Sequence, residues 1–321
     1  KNYGGSVNDS AQIMLYDAAS GDIFIGGRTT STNFPTLSPR QSTRGGSEDG
    51  FLQRISGTGT TVWSSYFQSA SSKSTAILCM AMATGGNELY FGGTTSGLAN
   101  SNVSASGTYD NSYNGGTNDL FVARMRTSQS FSGSTYVGGS ANEVNMMGLN
   151  TDQNNDVFVC GYTNSTNFPV SSAPNTPVQS TNMGSNDKVF LKLSSDLSNL
   201  IFSTYYGGSG DDYDPVGERG IKFSNCRIYT IVTSLSNNIP LTQGALNTTK
   251  NSSQYEPGIV VWANPPDLLG NTISGNQSVC AGSIPGDITG SVPSYSLPTI
   301  VRNNTPSTPP SPGSATTYQW Q

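Results

Sequence analysis

The sequence contains no histidine, and it carries little charge. Lys and Arg number 15 and Asp and Glu 20, so 11% of the 321 residues are charged, against a usual ~25%. Without histidine the chain cannot supply the base of Ser-His-Asp or Cys-His catalysis, or a histidine ligand to zinc. A net charge of −5 argues against nucleic acids and anionic membranes as partners, because both are bound through basic faces.

Long apolar runs are also absent. No stretch approaches the roughly 18 apolar residues that a membrane-spanning helix needs, so the sequence predicts no membrane span. The four cysteines have no C-x-x-C spacing, which excludes the common cysteine motifs for metal and redox chemistry. Isolated buried thiols are the favoured interpretation, with disulfides as the alternative, for Cys79, Cys160, Cys226 and Cys280.

What is abundant instead is glycine, serine, threonine and asparagine, arranged in an internal repeat of about seventy residues. A small polar turn ends in Asp49, Asp119 or Asp187, and an apolar alternating segment follows each of these residues. A Gly-Gly-Ser marker, an apolar strand and an Asn-Phe-Pro triplet recur in the same order. The second copy departs, with Gln68-Ser69 in place of the glycine pair. Three markers in constant order indicate four copies of one structural unit.

Each unit predicts four short strands separated by turns rich in Gly and Asn. In the second copy these strands are predicted at 50–56, 61–67, 75–83 and 88–95. No window shows a sustained helical period, so we expect an all-β fold with little helix. Four-stranded units at fixed spacing are typical of a β-propeller, here with at least four blades. Because 258–263 is followed by no further strand of its unit, we expect it to close the ring with strands from the N-terminal end.

Three segments resemble the bacterial "seven-bladed β-propeller" repeat, and they span residues 157–169, 187–193 and 203–213. The resemblance covers residues 1–263. It implies a secreted protein of Bacteroidetes, exported by the type IX secretion system, with gliding or surface attachment as the expected role.

Composition changes after residue 263. Residues 264–270 form a predicted linker, and residues 271–321 resemble the start of an Ig-like or PKD-like module of large surface proteins. Trp320 would be the core tryptophan of that sandwich. The predicted organisation is therefore a propeller over 1–263, a linker and a partial Ig-like domain.

An acidic turn holds Asp211, Asp212 and Asp214 close together, with Glu218 nearby. Carboxylates at this density are candidates for calcium ligands, whereas the same position in other copies is an ordinary turn. We favour a solvated turn and keep calcium as the alternative; no catalytic residue and no other cofactor is predicted.

Two repeated features have a structural and a functional interpretation. Asp49, Asp119 and Asp187 fit caps that accept turn N–H groups better than a ring of metal ligands. The Phe of each Asn-Phe-Pro triplet fits a plug at the seam between blades better than a ligand-facing aromatic.

The favoured function is therefore an extracellular, adhesin-like binding protein rather than an enzyme. Its loops would contact a glycan or a protein ligand at the cell surface, and secretion-system components would be further partners. Two alternatives stay open, a carboxylate-dependent polysaccharide hydrolase or lyase and a structural spacer in a surface stalk.

Overall fold

The computed structural model describes residues 3–104, 107–213, 220–224, 227–241 and 253–263. These residues form an all-β fold, and the only helical turn among them is a 3₁₀ turn at Asn100–Asn102. No helix in this part of the chain is long and apolar enough to cross a membrane. The predicted linker and the predicted Ig-like segment lie outside the described residues.

Fifteen strands make up the described part, in three sheets of four strands and one of three. In chain order they are β1 Asp9–Asp17, β2 Asp22–Thr29, β3 Asp49–Ile55, β4 Thr61–Phe67, β5 Thr75–Met82, β6 Glu88–Thr95, β7 Asp119–Arg126, β8 Phe131–Val137, β9 Glu143–Thr151, β10 Val157–Thr163, β11 Asp187–Leu193, β12 Leu200–Tyr206, β13 Ile221–Ser224, β14 Arg227–Ser234 and β15 Glu256–Ala263.

Every sheet is an antiparallel meander in which each strand pairs with the next one along the chain. The first sheet is β1 to β4, the second β5 to β8, the third β9 to β12 and the fourth β13 to β15. The first strands of successive sheets, β1, β5, β9 and β13, pack against one another. The sheets therefore stand side by side along a line of inner strands, which is the blade arrangement of a β-propeller.

Sheets in the middle of this array are covered on both faces. All seven residues of β10 and all seven of β11 are buried. Strands covered on both faces read as nearly continuous apolar runs rich in β-branched and aromatic residues, and Val157 to Cys160 is such a run. The outer position of the first sheet is different, because Met14 and Tyr16 of β1 are 64% and 61% exposed.

Hydrophobic clusters fill the three seams between neighbouring sheets. In the first seam, Phe67 of β4 stacks on Phe121 of β7 at 5.6 Å between ring centroids. In the second seam, Leu120 of β7 shares a cluster with Val159 of β10. In the third seam, Phe190 of β11 stacks on Trp262 of β15 with 4.6 Å between ring centroids. Since burial of large side chains dominates folding free energy, these seams join the sheets into one structure.

The sequence placed the strands correctly but grouped them wrongly into blades. The predicted unit 50–95 combines β3 and β4 of the first sheet with β5 and β6 of the second. The second sheet begins at β5, which corresponds to 75–83, the third strand of the predicted unit. The period of a repeat fixes the unit length but not its starting point. The short connection 68–74 crosses from one sheet to the next, while the long connection 30–48 stays within a sheet.

The predicted ring closure is also wrong for the described strands. Instead of pairing with the N-terminal end, β15 pairs along its whole length with β14, from Arg227 opposite Ala263 to Ser234 opposite Glu256. The segment therefore completes no other blade; it is the third strand of the fourth sheet. Cys79 and Cys160 are buried and form no disulfide, as predicted. Cys226 and Cys280 lie outside the described residues.

The two sides of β15 provide a test of this placement. Trp262 is 2% exposed and lies in the third seam, so Trp262→Ala should lower the free energy of unfolding by about 3–5 kcal/mol. Ile259 of the same strand is 44% exposed, and Ile259→Ala should cost less than about 1 kcal/mol. Urea denaturation of both variants measures the difference. Equal costs would contradict the placement of β15 against the third sheet.

Candidate functional site

The Gly-Gly-Ser marker forms a hydrogen-bonded clasp around an acid at the start of the first, third and fourth sheets. In the first sheet the Gly5 N–H donates to Asp9 Oδ2 at 2.6 Å. The Thr29 hydroxyl donates to the other oxygen of the same carboxylate, and Ser31 Oγ donates to Oδ2 at 3.1 Å. The loop N–H and two hydroxyls of the next strand thus hold one carboxylate in place. We call this arrangement the acid clasp.

The acid clasp recurs in the third and fourth sheets. Glu143 Oε1 accepts bonds from the Gly139 N–H at 3.1 Å and from Thr163 and Ser165 at 2.7 Å each. Asp212 takes the same role in the fourth sheet, where its donors are the Gly208 N–H and the hydroxyls of Ser234 and Ser236. Each acid lies four residues after the second glycine, a spacing that was visible in the sequence but was not singled out there.

The Asn-Phe-Pro triplet also hydrogen-bonds to the loop that contains the Gly-Gly-Ser marker. Asn167 Oδ1 accepts both the N–H and the hydroxyl of Ser140, at 2.8 and 3.0 Å. The next residue, Phe168, is 2% exposed, and its N–H donates to the hydroxyl of Tyr205 at 2.8 Å. Phe168 belongs to the cluster of the second seam, which confirms the structural interpretation for this copy of the triplet. Phe34 of the first copy packs within its own sheet instead.

The repeated Asp residues before the third strands accept turn N–H groups, as predicted. Asp49 accepts three such bonds, from Gly45 at 2.6 Å, Gly46 at 2.9 Å and Ser69 at 3.0 Å. Asp119 and Asp187 accept N–H bonds from their own turns in the same way. These residues are therefore caps of the loops that lead into β3, β7 and β11.

At the second seam the two kinds of acid meet. Asp119 of the second sheet and Glu143 of the third are both fully buried, and Asp119 Oδ1 and Glu143 Oε2 have no hydrogen-bond donor. Both oxygens face Gly138, where a Cβ atom would lie 2.6 Å from the first and 2.7 Å from the second. The first glycine of the marker therefore leaves the space that the pair of carboxyl groups occupies.

The three seams differ in this respect. The third seam repeats the pair with Asp187 and Asp212, again beside a glycine, Gly207. The first seam has Thr75 in place of the second acid, bonded to the hydroxyls of Ser69 and Thr95. In this copy Gln68 stands where the other two seams have Gly138 and Gly207. The seam with a single acid therefore also lacks the glycine that makes room for a second one.

Burial raises the pKa of both carboxyl groups at the second seam. The pKa of Asp119 rises to about 6 and that of Glu143 to about 8, chiefly because desolvation disfavours their charged forms. The charge of Asp110 adds to the rise at Asp119, and the charge of Asp119 adds to the rise at Glu143. At the third seam, burial and the neighbouring Asp212 raise the pKa of Asp187 to about 6. Protonation of either carboxyl group of the Asp119–Glu143 pair removes the repulsion between the two charges.

The predicted calcium cluster is not one site in the described part. Asp212 is buried in its acid clasp, whereas Asp211 binds elsewhere, through Asn186 Nδ2 at 2.8 Å and the Tyr255 hydroxyl at 3.1 Å. Asp214 lies outside the described residues, as does Glu218. Within the described ranges no group of three or more acidic or cysteine side chains is placed to hold a metal ion, and calcium binding stays a prediction.

A cleft lies on the outer face of the first sheet, above the acid clasp of Asp9. Its volume is about 390 Å³. Among its lining residues are the aromatic Phe34 and Phe51 and the polar Asp9 and Gln53. The corresponding face of the third sheet, with Phe168 and Tyr205, is buried against the second sheet. The cleft thus lies on the face of the first sheet that, in the third sheet, packs against a neighbouring sheet. No sheet of the described part covers this face of the first sheet.

A protein-family comparison matches residues 133–169 to the SBBP β-propeller repeat. The chain contains a β-propeller repeat of this type. The matched segment includes the Gly-Gly-Ser marker, Glu143 and the Asn-Phe-Pro triplet of the second seam. A comparison with curated proteins found no match.

Solved structures of low similarity include two peptidases. Pyrococcus horikoshii acylaminoacyl peptidase (orthorhombic crystal form) is 8% identical with a TM-score of 0.36, and the match covers 78% of this chain and 30% of that chain. An acylaminoacyl peptidase in complex with Z-Gly-Gly-Phe-chloromethyl ketone is 9% identical with a TM-score of 0.37, covering 80% and 31%. The chain thus spans less than a third of either peptidase, and likeness at this level bears on neither activity nor substrate.

The paired carboxyls should make stability depend on pH. Their pKa values in the folded protein exceed those of the unfolded chain, so the folded state binds more protons and loses stability as pH rises through about 6 to 8. The free energy of unfolding should fall by about 2 kcal/mol over this interval. Glu143→Gln should flatten the decline, because an amide donates to Asp119 without titrating.

Urea denaturation at a series of pH values measures this dependence. Glu88→Gln, which removes a partly exposed acid paired with Arg124, serves as the control and should leave the slope unchanged. Parallel curves for the wild type and Glu143→Gln would show that the buried pair does not titrate in this interval.

The fit between glycine and acid can be tested by substitution. Gly138→Ala should lower the free energy of unfolding by about 1–3 kcal/mol, because the new methyl group meets both carboxyl groups. In a Glu143→Thr background, which mimics the first seam, the same change should cost less. A double-mutant cycle on thermal or urea unfolding measures the coupling, and strictly additive effects would refute the steric explanation.

Proposed function

We propose that this protein is a secreted, adhesin-like binding protein of the cell surface, in which the propeller holds a ligand-binding face rigid. The ligand is a glycan or a protein, and a glycan is favoured. The repeat match and the all-β fold support the scaffold; the ligand and the location are the proposal. Function on such a scaffold lies in the site that it carries and not in the fold.

The cleft of the first sheet is the observation that carries this proposal. Its lining includes Phe34 and Phe51, each 4% exposed, and two polar side chains that are already hydrogen-bonded. These are Asp9, which the acid clasp holds, and Gln53, whose amide donates to Ser64. Aromatic faces cover the apolar faces of sugar rings, while carboxylate and amide groups bind their hydroxyls. A concave, mostly apolar site with a few polar groups is the usual form of a small-ligand site.

The carboxyl groups favour binding over polysaccharide cleavage. A hydrolase or lyase needs two carboxyls that reach the scissile bond. The pairs between sheets, Asp119 with Glu143 and Asp187 with Asp212, are instead fully buried and serve the seams. No observation on the described residues favours the enzymatic alternative, which stays an untested hypothesis.

The structural-spacer alternative has one observation in its favour. The face that carries the cleft corresponds to a face that is buried between the second and third sheets, so another sheet of the same repeat fits it as well as a ligand does. A spacer would bind no ligand there, and the binding experiment below separates the two hypotheses.

The proposed location rests on composition and on the repeat. Few charges and many Ser, Thr, Asn and Gly residues suit an extracellular protein. Type IX export, and with it contact with secretion-system components, is inferred from the resemblance of the repeat to Bacteroidetes surface proteins. A role in gliding is part of the same inference.

A blocked cleft should abolish binding. Ala11 is exposed and lines the cleft, so Ala11→Arg should lower affinity for any glycan found on a glycan array by at least about tenfold. Val62 is exposed on the same sheet but does not line the cleft, and Val62→Arg should leave affinity unchanged. Binding that both variants retain would place the ligand elsewhere, and a blank array for the wild type would favour the spacer.

A further inference from the structure

A lysine is buried between two carboxylates in the third sheet. Lys192 Nζ lies 2.9 Å from Asp156 Oδ2 and 3.2 Å from Asp152 Oδ2. The side chains of Lys192 and Asp152 are 0% exposed and that of Asp156 is 12% exposed. The ammonium group also lies 5.3 Å from the ring centroid of Phe158, so one side of the group is apolar.

Local structure fixes the three groups relative to one another. Both aspartates belong to the tight turn between β9 and β10, and Lys192 lies near the end of the neighbouring strand β11, opposite Phe158. The N–H of Ser195, just beyond β11, donates to Asp156 Oδ1 at 3.1 Å. The reacting groups are therefore held at contact distance by backbone pairing and not by flexible side chains alone.

The first and second sheets carry an arginine at the corresponding place. Arg54 pairs with Asp22 at 2.6 Å and Arg124 with Glu88 at 3.6 Å, and these side chains are partly exposed. A guanidinium stays protonated under all ordinary conditions. An amine can lose its proton when it is buried. Among Arg54, Arg124 and Lys192, only the lysine can therefore act as a nucleophile, and its side chain is fully buried.

The contact also offers a direct route for a proton. The side chains of Lys192 and Asp152 are fully buried, and Nζ and Oδ2 lie 3.2 Å apart, so a proton can pass between them without an intervening water molecule. Asp152 is also polarised, because its Oδ1 accepts the N–H groups of Asn154 at 2.9 Å and Asp156 at 3.0 Å. Two backbone donors on one carboxyl oxygen form the arrangement that stabilises a tetrahedral oxyanion.

We propose that Lys192 and Asp152 condense into an intramolecular amide, with Asp156 as the proton carrier. The ammonium first gives a proton to Asp152. Lys192 Nζ then attacks Cγ of the resulting carboxylic acid, and Oδ1 becomes the oxyanion. Asp156 takes a proton from the nitrogen and delivers it to Oδ2, which leaves as water. One C–N bond forms, one C–O bond breaks, and Asp156 returns to its carboxylate form without any oxidant or cofactor.

The product would link the turn before β10 to β11 covalently, inside a sheet that is buried on both faces. Such a link joins positions forty residues apart in the chain, Asp152 and Lys192. A cross-link of this length restricts the unfolded chain as a disulfide does, but a reducing agent cannot break it.

Mass spectrometry of the purified, folded full chain tests the proposal. The intact mass should be lower than the sequence mass by one water molecule, and proteolysis should release a branched peptide that joins the segments around Asp152 and Lys192. An unmodified mass in folded wild-type protein would overturn the proposal and leave an ordinary buried ion pair.

Variants assign the roles. Lys192→Arg should fold, because the first two sheets use arginine at this place, and should have the full sequence mass. Asp156→Asn should lose the modification or slow it by at least about a hundredfold, as expected for loss of a proton carrier, whereas Asp22→Asn in the first sheet should not affect it. A water loss that persists in Lys192→Arg would place the modification elsewhere and refute the assignment.

Discussion

The burial of carboxyl groups between sheets is the constraint around which this fold is built. Each acid at the start of an inner strand needs donors, because an unpaired buried carboxylate is costly. The glycine N–H, the Thr or Ser hydroxyls and the adjoining cap all answer that need. The constant order of the markers among the copies in this chain thus follows from one polar centre, and the hydrophobic seams pack around it.

Much of the architecture could be predicted from the sequence because strand composition and turn residues are local properties. The strand positions, the cap role of Asp49 and the buried Phe168 all follow from local pattern. The grouping into blades could not be predicted, since a period has no starting point and pairing depends on contacts between distant segments. The same limit explains why β15 was paired with the wrong end of the chain.

The site chemistry was less accessible to sequence analysis. The acidic cluster around Asp211 drew attention because its residues are adjacent in the chain, yet Asp211 and Asp212 have different partners. Glu143 and Asp119 are 24 residues apart and meet only because two sheets pack together. The residues around Lys192 come from two turns and a strand, so no short sequence motif predicts that they meet.

The first seam contains a threonine where the other two contain an acid. Raising the pH therefore weakens the second and third seams, where buried carboxyl groups lose protons. The first seam has no second carboxyl group and should not respond in this way. The first two sheets should then behave as one cooperative folding unit, to which the later sheets are attached by contacts that respond to proton concentration. A chain made of repeats with one common plan would in this way unfold in a defined order, which is set by one residue in each repeat.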